Sequence, residues 1–176
     1  MSQTRSPRPG IAVLLVAAVA ILALVTVGRI PGHGLWVTEV LNAAHAPAFA
    51  LITLLMIKMQ RRIANPSTGV LRDYSVALVA AILLGAVVEL MQLATGRDAS
   101  IGDLARDALG AVAALGVFSL FDPHLDARPG RWIIRIAGAL LALAATTAII
   151  VPVAWTSFAY LQRHRAFPTL VDFDSP

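Results

Sequence analysis

The chain contains no cysteine, which excludes a disulfide framework, a thiolate metal site and a cysteine nucleophile. It is also poor in charge. Only 14% of its 176 residues are Asp, Glu, Lys or Arg, and 58% are hydrophobic, whereas soluble domains carry roughly 25% charged and about 45–50% apolar residues. No serine elbow, phosphate-binding glycine loop or dinucleotide fingerprint occurs, and there is no internal repeat or low-complexity tract. What the chain does have is apolar sequence in blocks of about twenty residues, the length needed to cross a bilayer as helix. With a mean hydropathy of +0.77, lipid is the expected solvent for most of it.

The blocks predict an all-α, polytopic integral membrane helical bundle of about five transmembrane helices. The first span covers residues 11–27. Its apolar run is longer than the roughly 7–15 residues of a signal-peptide core, and no small-x-small cleavage site follows, so it reads as a retained span. The second begins at Leu35 or at Ala43 and runs to Met59, where Lys58, Arg61 and Arg62 act as stop-transfer charges. A turn-rich loop at residues 65–69 follows. The third span, residues 74–94, is interrupted by Glu89 and Gln92. A short hairpin, Arg97 to Ser100, leads into the fourth at residues 101–121, expected to be the weakest by hydropathy because it carries Asp103, Arg106 and Asp107. The fifth, residues 132–158, contains Pro152 and belt-type Trp155, with belt-type Tyr160 just beyond its end. Residues 1–161 thus form the membrane domain, and 162–176 a short extracytoplasmic tail.

The net charge is +4. The basic residues flank the apolar blocks instead of gathering on a soluble face, so nucleic acid is excluded as a partner and the lipid bilayer is implied. With the N-terminus in the cytoplasm, Arg5, Arg8, Lys58, Arg61, Arg62, Arg72, Arg128, Arg131 and Arg135 lie inside, while Arg29, Arg97, Arg163 and Arg165 lie outside. The positive-inside rule favours this orientation in the cytoplasmic membrane, with the C-terminus external.

Ionisable residues inside a membrane cost at least about 2.5–3.5 kcal/mol each on insertion scales. Here they fall on stripes. Glu89 and Gln92 share one helix face with Gly85, and Asp103 and Asp107 share another with Gly110 and Ala114. The hairpin makes these helices antiparallel neighbours with Glu89 and Asp107 at similar depth, and His45 lies at the same side of the membrane. One reading is glue, with Arg106 neutralising Asp103 or Asp107. Carboxylates in excess of cations favour function instead, because they call for a ligand, a proton or a metal. His45 with Glu89 and Asp103 or Asp107 is a nitrogen and oxygen set suited to a divalent ion, although no spacing motif marks it and no metal ligand or cofactor is assigned. Acid–base work by Glu89 is open as well. Lys58, Arg61, Arg62, His33, His124 and His164 are assigned no chemistry.

The ordered residues His45, Glu89-Leu90-Met91-Gln92, Gly96-Arg97-Asp98-Ala99-Ser100, Asp103-Leu104 and Asp107-Ala108-Leu109-Gly110 resemble the VanZ-like membrane family over about residues 41–116. Relatives commonly carry a Lys shortly before the His, where this chain has Leu41 and Asn42, and an Asn in place of Asp107. The resemblance implies a cell-envelope protein, the name-giving member being associated with low-level resistance to the glycopeptide teicoplanin. It also implies that residues 167–176 resemble the entry to an extracytoplasmic β-rich domain carried by some relatives. The expected site comprises His45, Glu89, Gln92, Arg97, Ser100, Asp103 and Asp107, forming an outer-leaflet pocket for a lipid-linked envelope precursor or an anionic head group. Two other classes stay open: a membrane-embedded hydrolase or transferase acting on such lipids, and a structural scaffold.

Overall fold

The computed structural model describes residues 10, 13, 16–17, 20–21, 35–63, 69–94 and 99–166. Nearly all of the expected first span, the 65–69 loop up to Thr68, Arg97 and the tail from residue 167 lie outside them. Four long helices run in sequence: α1 (Leu35–Ile63), α2 (Val70–Ala94), α3 (Ile101–Phe121) and α4 (Arg131–Ala166). There is no strand among the described residues. Each helix contains a segment long and apolar enough to cross a membrane: Asn42–Ile63, Val70–Ala94, Ile101–Phe121 and Arg131–Arg163. Among the described residues the protein is therefore all-helical with four such helices.

The weakest segment is not the one expected. Mean hydropathy is 1.6 for the most apolar stretch of Ile101–Phe121 but 1.3 for that of Asn42–Ile63, which holds Asn42, His45, Pro47 and Lys58. The α1 helix starts at Leu35 and continues unbroken through Pro47, while its segment apolar enough to cross a membrane starts at Asn42, beside the alternative start at Ala43. That proline has no N–H to give to the carbonyl of Ala43, so α1 lacks one rung beside His45. α2 starts four residues before the expected Tyr74, and α4 runs past residue 161.

Hydrogen bonds fix the sense of the helices. Gln60 and Arg61 at the end of α1 bond Asp73 at the start of α2, and Tyr74 bonds Asp122 just beyond α3, so α1, α2 and α3 alternate in direction. α3 is central, packing on α1, α2 and α4. Glycine lets it come close. A Cβ at Gly110 would overlap the backbone carbonyl of Ala46 on α1, and one at Gly116 would overlap that of Gly138 on α4. Where lipid offers no less apolar an environment than leucine does, such close backbone approach is a main source of helix affinity. Between them Phe49, Ala81, Val88 and Ala111 form a small buried core.

The outward faces are apolar. Leu83, Leu90, Ile133, Ile136, Leu143 and Trp155 are all exposed, as a lipid-facing surface requires. α4 is peripheral, with 17% of its apolar window buried against 33–39% for the other three. Gly130, at φ 74°, turns the chain into it.

Candidate functional site

Two polar clusters occupy opposite ends of the bundle. The first forms where α2 ends, α3 begins and α1 passes. His45 Nδ1 lies 3.1 Å from Asp107 Oδ1, and both residues are buried. Glu89 joins them from α2, so that one nitrogen or oxygen atom of each residue lies within 4.8 Å of the others. Asp107 reaches this point because Gly85 faces it: a Cβ there would stand 2.9 Å from Asp107 Oδ2.

The carboxylates are held by one oxygen each. Glu89 Oε2 accepts a 2.6 Å hydrogen bond from the backbone N–H of Ser100, the N-cap of α3, whose own hydroxyl accepts from the Asp103 N–H at 3.3 Å. The other oxygens, Glu89 Oε1 and Asp107 Oδ2, are buried and have no hydrogen-bond partner among the described residues. Buried polar atoms are rarely left so, because the desolvation is uncompensated.

Asp103 does not join the triad. It accepts from Arg106 Nη1 at 2.7 Å, and the same guanidinium lies 3.7 Å from Glu39. The expected neutralisation by Arg106 thus falls on Asp103, while Asp107 pairs with His45. Neither Glu89 nor Asp107 has an ion pair with Lys or Arg among the described residues. Gln92 is buried one turn beyond Glu89. Arg97 lies outside the described residues. The structure therefore brings together His45, Glu89, Asp107 and Ser100, with Asp103 one turn away.

The second cluster went unrecognised in the sequence. Arg61 donates to both oxygens of Asp122, at 2.9 and 2.7 Å, and to Asp73 at 3.4 Å. Tyr74 Oη donates to Asp122 Oδ2 at 2.7 Å, and the His124 N–H to Asp122 Oδ1 at 3.1 Å. The guanidinium sits over the rings of Phe118 and Tyr74, 5.2 and 5.9 Å from their centroids. Burial alone would push the Asp122 carboxyl up, but the bonds from Arg61, Tyr74 and His124 and the Arg61 charge outweigh it and hold it far below the usual carboxylate range. Arg61 is more than a stop-transfer charge, and His124, assigned no chemistry from the sequence, joins it: its ring nitrogen lies 3.3 Å from Arg61 Nη1. Only the side chains converging on a shared carboxylate reveal this, and stop-transfer residues look alike in sequence whether or not they have partners.

A groove of 490 Å³ between α2, α3 and α4 is lined by Leu78, Val112, Leu115, Ile134 and Leu141 among others. It is apolar and lies at the level of Tyr74 and Ser119, away from His45. Comparison with protein families, with curated proteins and with solved structures finds no match in any of the three.

Proposed function

We propose that the chain is a VanZ-like protein of the cell envelope, inserted in the cytoplasmic membrane, whose His45–Glu89–Asp107 cluster forms part of a site for the polar head of a lipid-linked envelope precursor or another anionic envelope lipid. The observation that carries this reading is the convergence, inside an apolar bundle, of ionisable side chains from three different helices, two of them with buried oxygens left unbonded among the described residues. Structural glue needs paired charges. An excess of acceptors calls for a partner that arrives from outside.

The charge distribution supports the outer leaflet as the place where this occurs. Lys58, Arg61, Arg62, Arg72, Arg128, Arg131 and Arg135 belong to the end opposite the cluster, whereas Arg106, Arg163 and Arg165 are the basic residues among those described at the cluster's own end. By the positive-inside rule the His45 end faces out. Arg106, and Arg97 next to the same hairpin in sequence, would meet the anionic group, with Glu89, Gln92 and Asp103 bonding the polar head and Ser100 holding Glu89 in place.

A second reading is favoured by one contact. A His and an Asp 3.1 Å apart, with Glu89 beside them, have the composition of an acid–base site, which fits a hydrolase or transferase acting on the same lipids. Both readings meet the same test. Glu89→Ala and Asp103→Ala are expressed, checked for insertion, and assayed for retention of a polyprenyl-diphosphate lipid in nanodiscs and for teicoplanin susceptibility of the host. Loss of retention with altered susceptibility is expected; two well-inserted variants indistinguishable from the parent in both assays would refute the site. Release of a product from the retained lipid separates the enzyme from the binder.

A further inference from the structure

We propose that His45, Glu89 and Asp107 bind one divalent cation of the zinc or manganese class inside the bundle. The donor set is one imidazole nitrogen and two carboxylates, each on a different helix, with ligand atoms within 4.8 Å of one another. Two donors on a tetrahedral cation with bonds of about 2.0–2.1 Å stand about 3.3 Å apart. His45 Nδ1 and Asp107 Oδ1 are already 3.1 Å apart, so the ion requires Glu89 to draw in and little else.

Charge balance points the same way. The two carboxylates have no Lys or Arg ion pair among the described residues, and Arg106 is engaged by Asp103 and Glu39. A divalent cation with two carboxylates and a neutral imidazole is a neutral unit, the form in which such groups are best tolerated at membrane depth. The unbonded atoms also point to an ion. Asp107 is 0% exposed, and its Oδ2, like Glu89 Oε1, has no hydrogen-bond partner among the described residues.

The second oxygen of Glu89 has a fixed role. Ser100 N–H holds Glu89 Oε2, leaving Oε1 free to ligate, an outer-shell bond of the kind that orients metal ligands. The imidazole donor favours zinc over magnesium and calcium, which take oxygen almost exclusively, and the two carboxylates suit manganese as well. Three protein ligands leave a coordination position open.

The inference concerns the same residues as the proposed head-group site but does not require it, because the cation is measured with no head group beyond ordinary phosphatidylcholine present. The full chain in phosphatidylcholine nanodiscs is stripped with chelator, dialysed against zinc or manganese, desalted, and its metal content measured. About one equivalent of one of these ions per chain is expected, with binding weakened about tenfold or more in Glu89→Gln, Asp107→Asn and His45→Ala, and unchanged in the exposed His124→Ala. Since Asp107→Asn threatens folding, the unfolding midpoint of the parent chain is measured as well, and is expected to rise with the same cation and not with magnesium. A parent chain that retains neither ion, or retention undiminished in folded Glu89→Gln and His45→Ala, overturns the proposal. Metal without lipid retention would sink the head-group reading alone, and lipid retention without metal would sink this one alone.

Discussion

Arg61 and Asp122, sixty-one residues apart, form a two-pronged ion pair with Nη1 to Oδ1 at 2.9 Å and Nη2 to Oδ2 at 2.7 Å. The pair ties the end of α1 to the end of α3, and Tyr74 of α2 donates to the same carboxylate. Removing Asp122 leaves Arg61, half-buried and still 3.4 Å from Asp73, without its main partner. Asp122→Ala is therefore expected to destabilise the bundle by about 1–3 kcal/mol, and Arg61→Lys by less, since an ammonium keeps the charge but cannot span both oxygens. Unfolding in mild detergent, followed by helical circular dichroism, measures both.

The same carboxylate predicts an acid limb. Its folded-state pKa is depressed, so its contribution is complete above the ordinary carboxylate value of about 3.9 and is lost progressively as pH falls from there toward the depressed value. Stability of the parent should fall over that acid range, and Asp122→Asn, already without the charge, should show a shallower fall. Equal slopes in a pH series of unfolding midpoints would assign the acid limb to other groups.

Gly110 should be intolerant of any side chain. In Gly110→Ala the new methyl meets the Ala46 carbonyl, which is backbone and cannot rotate away. α1 and α3 must separate, at a cost of about 1–3 kcal/mol. Because Ala46 adjoins His45, and Gly110 follows Asp107 by one helical turn, lipid or metal retention should drop together with stability. A variant that is stable but has lost retention would identify spacing as the cause.

Orientation is testable in a chain with no cysteine of its own. Single cysteines at the exposed positions Ala99 and Asp126 lie at opposite ends of α3. An impermeant thiol reagent applied to intact cells is expected to label the first and spare the second. The reverse pattern would move the His45 cluster to the cytoplasmic leaflet and turn the search toward cytoplasmic ligands.

Legibility from sequence followed spacing. α3 was readable to the residue because Ser100 caps it and Asp122-Pro123 stops it, and its stripe of Asp103, Asp107 and Gly110 is a helical repeat that survives any tertiary arrangement. The meeting of Glu89 with Asp107 was readable because a short hairpin leaves only one way to pair the helices. The choice of partner was not. Whether Arg106 serves Asp103 or Asp107 depends on helix rotation, which packing decides. The network around Arg61 was hidden for a different reason: Arg61, Asp73 and Asp122 are each in an ordinary place for a boundary charge, and only their convergence makes them one structure. Helix ends erred in the same direction, α2 beginning before and α4 ending after the apolar run, since polar residues extend a helix readily once it has left the hydrocarbon.

The missing rung at Pro47 bears on what holds the site in place. An uninterrupted helix resists bending along its whole length, but one lacking a bond between residues 43 and 47 yields there first. That point falls among anchored residues: His45 is bonded to Asp107, and the Ala46 carbonyl lies against Gly110. The line of α1 beside His45 is thus set by its neighbour α3 more than by its own ladder.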